Sequence, residues 1–167
     1  MSMKYRVGLG FDVHELKEGV PLFLGGVRIP GGKGAVGHSD ADVLLHAVCD
    51  AMLGAAGMRD IGFHFSNKDE RWRNADSRIF LTQVTAMLRE KGWTVGNLDC
   101  TITLEDPKVN PHVAEMKKVM AEIIGITAED ISVKATTNEG MGYVGRGEGI
   151  NAMACLLYTS PSPRDAT

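Results

Sequence analysis

The pattern that most constrains this chain is an Asp-x-His, Asp12 and His14, closing an alternating segment, with a further imidazole at His46 inside a stretch of helical periodicity. In a strand, residues i and i+2 share a face, so Asp12 and His14 can meet one ion if Gly8 to His14 ends a strand. A helix carrying His46 must then pack on that face to complete a triad. Two imidazoles and a carboxylate, with the fourth position left to water or substrate, form an open zinc site suited to catalysis. Taken alone, such a spacing is more often a hydrogen-bonded strand end than a metal site, and ligand types do not overturn that.

The rest of the chain supplies elements to hold such a triad. Tyr5 to Phe11 alternates and reads as a strand, and Pro21 to Leu24 and Val27 to Ile29 flank Gly25-Gly26 as a hairpin. Pro30 to Gly37 is a glycine-rich loop that fits neither the dinucleotide nor the Walker fingerprint and reads as flexible. A first helix opens at Ser39 or Asp40 and runs to Ala56, with Val43, Leu44, Ala47, Val48, Ala51 and Met52 on its apolar side. A second, capped by Asp76 or Ser77, carries Phe80, Val84, Met87 and Leu88 and ends at Lys91-Gly92. Val95 to Leu104 alternates as a strand. A third helix starts at Pro111 and stops at Gly125, and Ile131 to Thr137 and Gly149 to Leu157 read as the last strands. Strands and helices mix without strict alternation, which favours an α+β fold with helices on one face of a sheet.

Bulk properties narrow the function. At 167 residues, 44% hydrophobic and 23% charged, the chain is one globular domain with room for a real core. A formal net charge of −3 argues against a general nucleic-acid binder, whose affinity comes from Lys and Arg on phosphates. Cys49, Cys100 and Cys155 are odd in number and lack C-x-x-C spacing, which suits reduced thiols of a cytoplasmic protein. No apolar run is long enough to span a bilayer and no signal peptide is present.

Several polar clusters sit at element ends. Gly37-His38-Ser39-Asp40-Ala41-Asp42 places an imidazole, a hydroxyl and two carboxylates at a helix start, where they could hold a phosphate or simply cap the helix. Lys134-Ala-Thr-Thr-Asn-Glu139 brings hydroxyls and a carboxylate to a strand end, suited to phosphate and Mg²⁺ or to an ordinary Thr-rich terminus. Arg59-Asp60-Ile61-Gly62, the loop of His64, Asn67 and Asp69, Glu105-Asp-Pro-Lys108, and Tyr143 with Gly145-Arg-Gly-Glu148 complete the set.

Gly10-Phe-Asp-Val-His14, Leu24-Gly-Gly-Val-Arg-Ile-Pro30, His38-Ser-Asp-Ala-Asp42, Leu45-His-Ala47, Gly54-Ala-Ala56, Asp60-Ile-Gly62, Ala75-Asp-Ser77 and Gly145-Arg-Gly-Glu-Gly149 follow one family in order and spacing. From Lys4 to Leu157 the chain resembles the 2-C-methyl-D-erythritol 2,4-cyclodiphosphate synthases. The resemblance implies a bacterial cytoplasmic phosphorus–oxygen lyase of non-mevalonate isoprenoid biosynthesis. Such an enzyme converts 4-diphosphocytidyl-2-C-methyl-D-erythritol 2-phosphate into the cyclodiphosphate and CMP. It also implies a mixed sheet in a homotrimer, the sheets around a threefold axis, the sites between subunits, and a central cavity able to hold isoprenoid diphosphates near Phe11, Arg146 and Glu148.

Residue by residue, the resemblance assigns zinc to Asp12, His14 and His46, and Mg²⁺ or Mn²⁺ to Glu139. His38 and Thr137 match the transition-state stabilisers. Substrate contacts fall on Asp12, His14, His38, Ser39, Asp60, Ile61, Gly62 and the loop Phe65, Ser66, Asn67, Lys68 and Asp69. The cytidine and phosphate pocket falls on Leu104, Glu105, Asp106, Pro107, Lys108, Val109 and Asn110, with Thr136, Thr137, Asn138 and Glu139; Tyr143 and Arg146 are further substrate positions. One departure is Phe65-Ser66-Asn67, where the family commonly has Phe-Pro-Asp. A tethered 2-phosphate attacking the β-phosphorus needs positioning and charge neutralisation more than a protein base. Rival readings are a non-catalytic nucleotide- or isoprenoid-diphosphate-binding homologue, whose triad would be broken, and an open-zinc phosphodiester hydrolase.

The last stretch is set apart. Residues 1–157 read as a single catalytic domain, whereas Tyr158 to Thr167 carries two prolines and no core pattern and reads as a disordered tail. The run Cys155 to Asp165 also resembles the translation of a common sequencing adapter, which would make the tail non-native.

Overall fold

A computed structural model describes residues 4–160. In chain order the elements are β1 (Tyr5–Lys17), β2 (Leu22–Leu24), β3 (Val27–Ile29), β4 (Gly34–Val36), α1 (Val43–Ala55), α2 (Ile61–His64), α3 (Ser77–Glu90), β5 (Thr94–Thr103), α4 (Val113–Ile124), β6 (Ile131–Thr136), α5 (Gly142–Gly145) and β7 (Gly149–Thr159). Five strands form one mixed sheet in the order β4-β1-β7-β5-β6, with β5 and β6 parallel and the other pairs antiparallel. Hairpin β2–β3 stands apart as a two-stranded sheet. This is the expected α+β arrangement, with α1, α3 and α4 layered on one sheet face.

The packing of α1 on β1 follows from two glycines. A Cβ on Gly10 would lie 1.8 Å from the Ala47 carbonyl oxygen, and one on Gly8 would lie 2.0 Å from that of Ala51. With hydrogens in their place, the helix backbone settles directly on the strand. Ala47 and Ala51, both fully buried, keep the helix side of the contact equally thin. The hairpin is fastened to the same helix. Gly25 and Gly26 form its two-residue turn with φ of 60° and 77°, the left-handed region that a primed turn requires. Their amides donate to the carboxylate of Asp42 at 3.0 and 2.8 Å.

That carboxylate also accepts from the Leu45 amide at 3.0 Å, so Asp42 caps α1, in place of the expected Ser39 or Asp40. Residues 39 and 40 are engaged elsewhere, as described below. Asp76 caps α3, one of the two expected residues, and Gly125 ends α4 in the left-handed conformation, φ 82°.

Three expectations need correction. The first strand does not stop at Phe11 or His14 but runs to Lys17, because β7 pairs it as far as Glu15 and β4 pairs Glu15 to Lys17. Part of the glycine-rich loop, Gly34–Val36, is therefore an ordered edge strand. The last strand also passes Leu157: Tyr158 pairs with Arg6 and Val95 and is fully buried, and Thr159 pairs with Tyr5 and Thr94. The expected tail thus loses its first residues to the sheet, since neighbours on both sides satisfy their backbone groups. Residues 161–167 of that expected tail lie outside the described residues.

The other sheet face is bare. Side chains at odd positions of β1, namely Tyr5, Val7, Leu9, Phe11 and Val13, point away from the helices and are 46% to 70% exposed. Met153 on β7 extends the patch beside Phe11.

Candidate functional site

Even positions of β1 face the helices. Past Gly10 they are Asp12 and His14, and α1, seated on the glycines, delivers His46 against both. Asp12 Oδ2 lies 2.8 Å from His14 Nε2 and 3.2 Å from His46 Nδ1, and the two nitrogens are 3.3 Å apart. Among the described residues this trio is the one cluster of three or more His, Cys, Asp or Glu side chains whose ligand atoms converge closely enough to hold a metal ion. Ligand bonds of about 2.0 Å in a tetrahedron place neighbouring donors about 3.3 Å apart, so the trio forms close to one face of such a tetrahedron. All three side chains line the cleft described below.

Both imidazoles are aimed by their far nitrogens. His14 Nδ1 lies 3.1 Å from the Val36 carbonyl, which can only accept, so Nδ1 carries a proton and Nε2 is left to donate to Asp12 when the ring is charged or to meet an ion when it is neutral. This is a task of edge strand β4. His46 Nε2 lies 2.8 Å from Ser77 Oγ, at the start of α3, and 3.2 Å from Ser39 Oγ. Burial alone would raise the Asp12 pKa, but hydrogen bonds and charge from His14 and His46 prevail and lower it to about 2. His14 shows the converse: burial disfavours its charged form, yet the bond to Asp12 and the Asp12 charge leave its pKa raised. A divalent ion would therefore compete at Nε2 with the proton that Asp12 favours there.

The trio opens into a cleft of about 280 Å³, walled by Gly37, His38, Ser39, Ile61, Gly62, Phe65, Asn67, Trp72 and Phe80. Phe65, Trp72 and Phe80 pack with ring centroids 4.9 to 5.5 Å apart, which pins the loop after α2 onto α3 and sets Asn67 at the rim. His38 is tied to the same loop, donating from Nε2 to the Asp69 carbonyl at 2.9 Å. The α2 end is held from α1: Asp50, one turn after His46, accepts the Ile61 amide at 2.8 Å, and Asp60 caps α2 through Phe63.

The second expected group gathers elsewhere in the chain. Leu104, Glu105, Pro107, Lys108, Val109, Asn110, Thr136 and Thr137 line a pocket of about 90 Å³ at the ends of β5 and β6. Glu105 accepts the Asn138 amide at 2.7 Å, joining the two loops, and within the second loop Thr137 Oγ1 accepts the amide of Glu139 at 3.3 Å. Asp106 turns to an adjacent hollow beside Lys33 and Gly147. Strand β1 is two places from β5 and three from β6, so the pocket stands about 10 to 15 Å across the sheet from the trio. Glu139, with φ 54°, is not among the trio's ligands. Ser66, Lys68 and Asp69 lie in the cleft loop, with Asp69 held by Arg71. Tyr143 OH accepts from Asn151 at 2.9 Å, and Arg146 pairs with Glu148 at 2.9 Å.

Sequence reasoning assigned no site role to Trp72, Phe80, Asp50, Ser77 or the Val36 carbonyl, and placed Asp40 only as a helix cap or a member of a phosphate-holding cluster. Asp50 had a signal in its one-turn spacing from His46. A backbone carbonyl has none.

Residues 5–159 match the model of the YgbB family. A 2-C-methyl-D-erythritol 2,4-cyclodiphosphate synthase of Cytophaga hutchinsonii is 57% identical over 159 residues, covering 95% of this chain and 100% of that protein. One from Methylobacillus flagellatus is 58% identical, covering 91% of this chain and 96% of that protein. Among solved structures, the IspF of Plasmodium falciparum in complex with CDP superposes with a TM-score of 0.84 at 31% identity, covering 95% of this chain and 97% of that one. The bifunctional IspDF of Campylobacter jejuni gives 0.92 at 37% identity, covering 96% of this chain and 44% of that one.

The α+β fold carries a two-histidine, one-carboxylate cluster consistent with a divalent-metal site, and the family it matches is one of enzymes. The chain belongs to the YgbB family, that of the 2-C-methyl-D-erythritol 2,4-cyclodiphosphate synthases.

Proposed function

We propose that the chain converts 4-diphosphocytidyl-2-C-methyl-D-erythritol 2-phosphate into 2-C-methyl-D-erythritol 2,4-cyclodiphosphate and CMP. The observation that carries this reading is the intact trio, its three ligand atoms gathered on one point beside a polar cleft. The intact trio also speaks against a non-catalytic homologue, and the curated relatives bear the synthase name over almost their full length. In the reaction an oxygen of the 2-phosphate bonds to the β-phosphorus, the bond from that phosphorus to the α-phosphate oxygen breaks, and CMP leaves with the electron pair. Zinc at Asp12, His14 and His46 and Mg²⁺ or Mn²⁺ at Glu139 would neutralise phosphoryl charge. His38 and Ser39 border the trio and orient the erythritol phosphate, and Ile61 and Gly62 form a further part of the cleft wall. Leu104 to Asn110 with Thr136 to Glu139 take the cytidine and its phosphates.

The two half-sites are reconciled by assembly. A contiguous apolar strip such as Tyr5, Val7, Leu9, Phe11, Val13 and Met153 is uncommon on a lone subunit and suits burial around a threefold axis. In such a ring the trio of one subunit faces the nucleotide pocket of its neighbour. Phe11, Arg146 and Glu148 then line an axial cavity suited to an isoprenoid diphosphate.

Purified protein incubated with the substrate, Mg²⁺ and zinc is expected to release CMP, followed by chromatography. His46→Ala should bind zinc too weakly to detect and release almost none. Equal CMP release by that variant would dismiss the metal centre, and substrate binding without CMP from wild type would favour the non-catalytic homologue.

A further inference from the structure

His46 is held from behind by a chain of two groups that has no assigned part in the site. Ser77, fully buried at the first turn of α3, places Oγ 2.8 Å from His46 Nε2 and makes a short hydrogen bond to Asp40 Oδ1. The Asp40 carboxylate is already committed as an acceptor: Oδ2 takes the Ser77 amide at 3.0 Å and Oδ1 the Asp42 amide at 3.1 Å. It therefore accepts the single Ser77 hydroxyl proton as well. Having donated that proton, Ser77 Oγ can meet an imidazole nitrogen only by accepting. The imidazole proton must then sit on Nε2. With an ion in the trio, Nδ1 then offers it a lone pair; without one, Nδ1 meets the Asp12 carboxylate at 3.2 Å only by donating. Ser39 Oγ cannot set this direction alone, since it stands farther off at 3.2 Å and already accepts from the Ala41 amide.

We propose that Asp40 and Ser77 are positioning residues of the metal centre, a carboxylate–hydroxyl relay that selects the His46 tautomer and locks its ring toward the ion. The inference rests on the zinc reading above and adds how the chain makes His46 a ligand. His14 achieves the same end differently, through the Val36 carbonyl, so the two histidines are separately addressable. Outer partners of this kind typically change metal affinity by about 10- to 100-fold. Asp40→Asn cannot serve all three donors, because one amide oxygen replaces two carboxylate oxygens. Ser77→Ala removes the bridge outright.

Each variant is expected to weaken zinc binding by about 10- to 100-fold, measured by competition with a chromophoric chelator. In zinc-loaded protein with ¹⁵N-labelled histidine, each should speed solvent exchange of the His46 Nε2 proton while leaving the His14 Nδ1 proton unaltered. Should Ser77→Ala not fold, the wild-type spectrum still decides, because it must show zinc on His46 Nδ1 and the proton on Nε2. Zinc on Nε2, or tight wild-type binding that both variants retain within threefold, overturns the relay. Failure of wild type itself to bind zinc in the same titration overturns the zinc reading, and the relay with it.

Discussion

Replacing Gly10 by alanine tests how the fold builds the metal centre. The added methyl would stand 1.8 Å from the Ala47 carbonyl oxygen and 2.7 Å from the Ala51 nitrogen, both backbone atoms of α1 that cannot rotate away. Ordinary contact begins at 3.4 Å, so α1 must retreat from β1 by about 1.6 Å at that point. His46 directly precedes Ala47 and travels with it, whereas metal–ligand distances tolerate only about 0.2 Å. Gly10→Ala is therefore expected to lower zinc affinity on the order of a hundredfold. Overpacking should also lower stability by about 1–3 kcal/mol. Gly54→Ala is the control on the same helix: its methyl meets nothing within 4 Å. There the gain in helix propensity should raise stability by about 0.5–1 kcal/mol and leave zinc binding unchanged. Urea unfolding of zinc-free protein and chelator competition read the two effects separately. Wild-type stability and zinc affinity in Gly10→Ala would refute the claim that bare strand backbone seats the helix.

Three further outcomes are expected. A chain ending at Leu157 should melt far below one ending at Ser160, because losing the fully buried Tyr158 side chain costs about 3–5 kcal/mol; Tyr158→Phe should instead gain about 1 kcal/mol, since its hydroxyl is buried with no partner among the described residues. Zinc affinity should weaken as pH falls through the raised pKa of His14, by about tenfold per pH unit for one displaced proton, with no added step from Asp12, which stays ionised down to about 2; a flat profile from pH 8 to 5 would contradict proton competition. His46→Ala and Thr137→Val proteins, each nearly inactive, should recover about a quarter of intact sites when co-refolded, because a ring with heterologous contacts pairs one subunit's trio with its neighbour's pocket; activity no higher than in separately refolded and pooled chains, with subunit exchange verified by mass spectrometry, would place each site within one chain.

The sequence by itself determined what depends on local spacing. Alternation and helical period located four of the five sheet strands and the three long helices, the Gly25-Gly26 turn marked its hairpin, and ligand chemistry marked Asp12, His14 and His46. It misjudged extent wherever a distant partner decides: β1 runs to Lys17 and β7 to Thr159 because neighbouring strands satisfy their backbones, and nothing in Pro30 to Gly37 announces that three of its residues will pair with β1. Tertiary structure alone decided which acidic residue caps α1. Asp42 lies where two hairpin amides also reach it, leaving Asp40 to meet Ser77 from a helix far along the chain. The aim of both imidazoles belongs to that second category, since it depends on a carbonyl of β4 and a hydroxyl of α3. Spacing can nominate a ligand, but the direction of its lone pair is set by whichever group the fold brings to its other nitrogen.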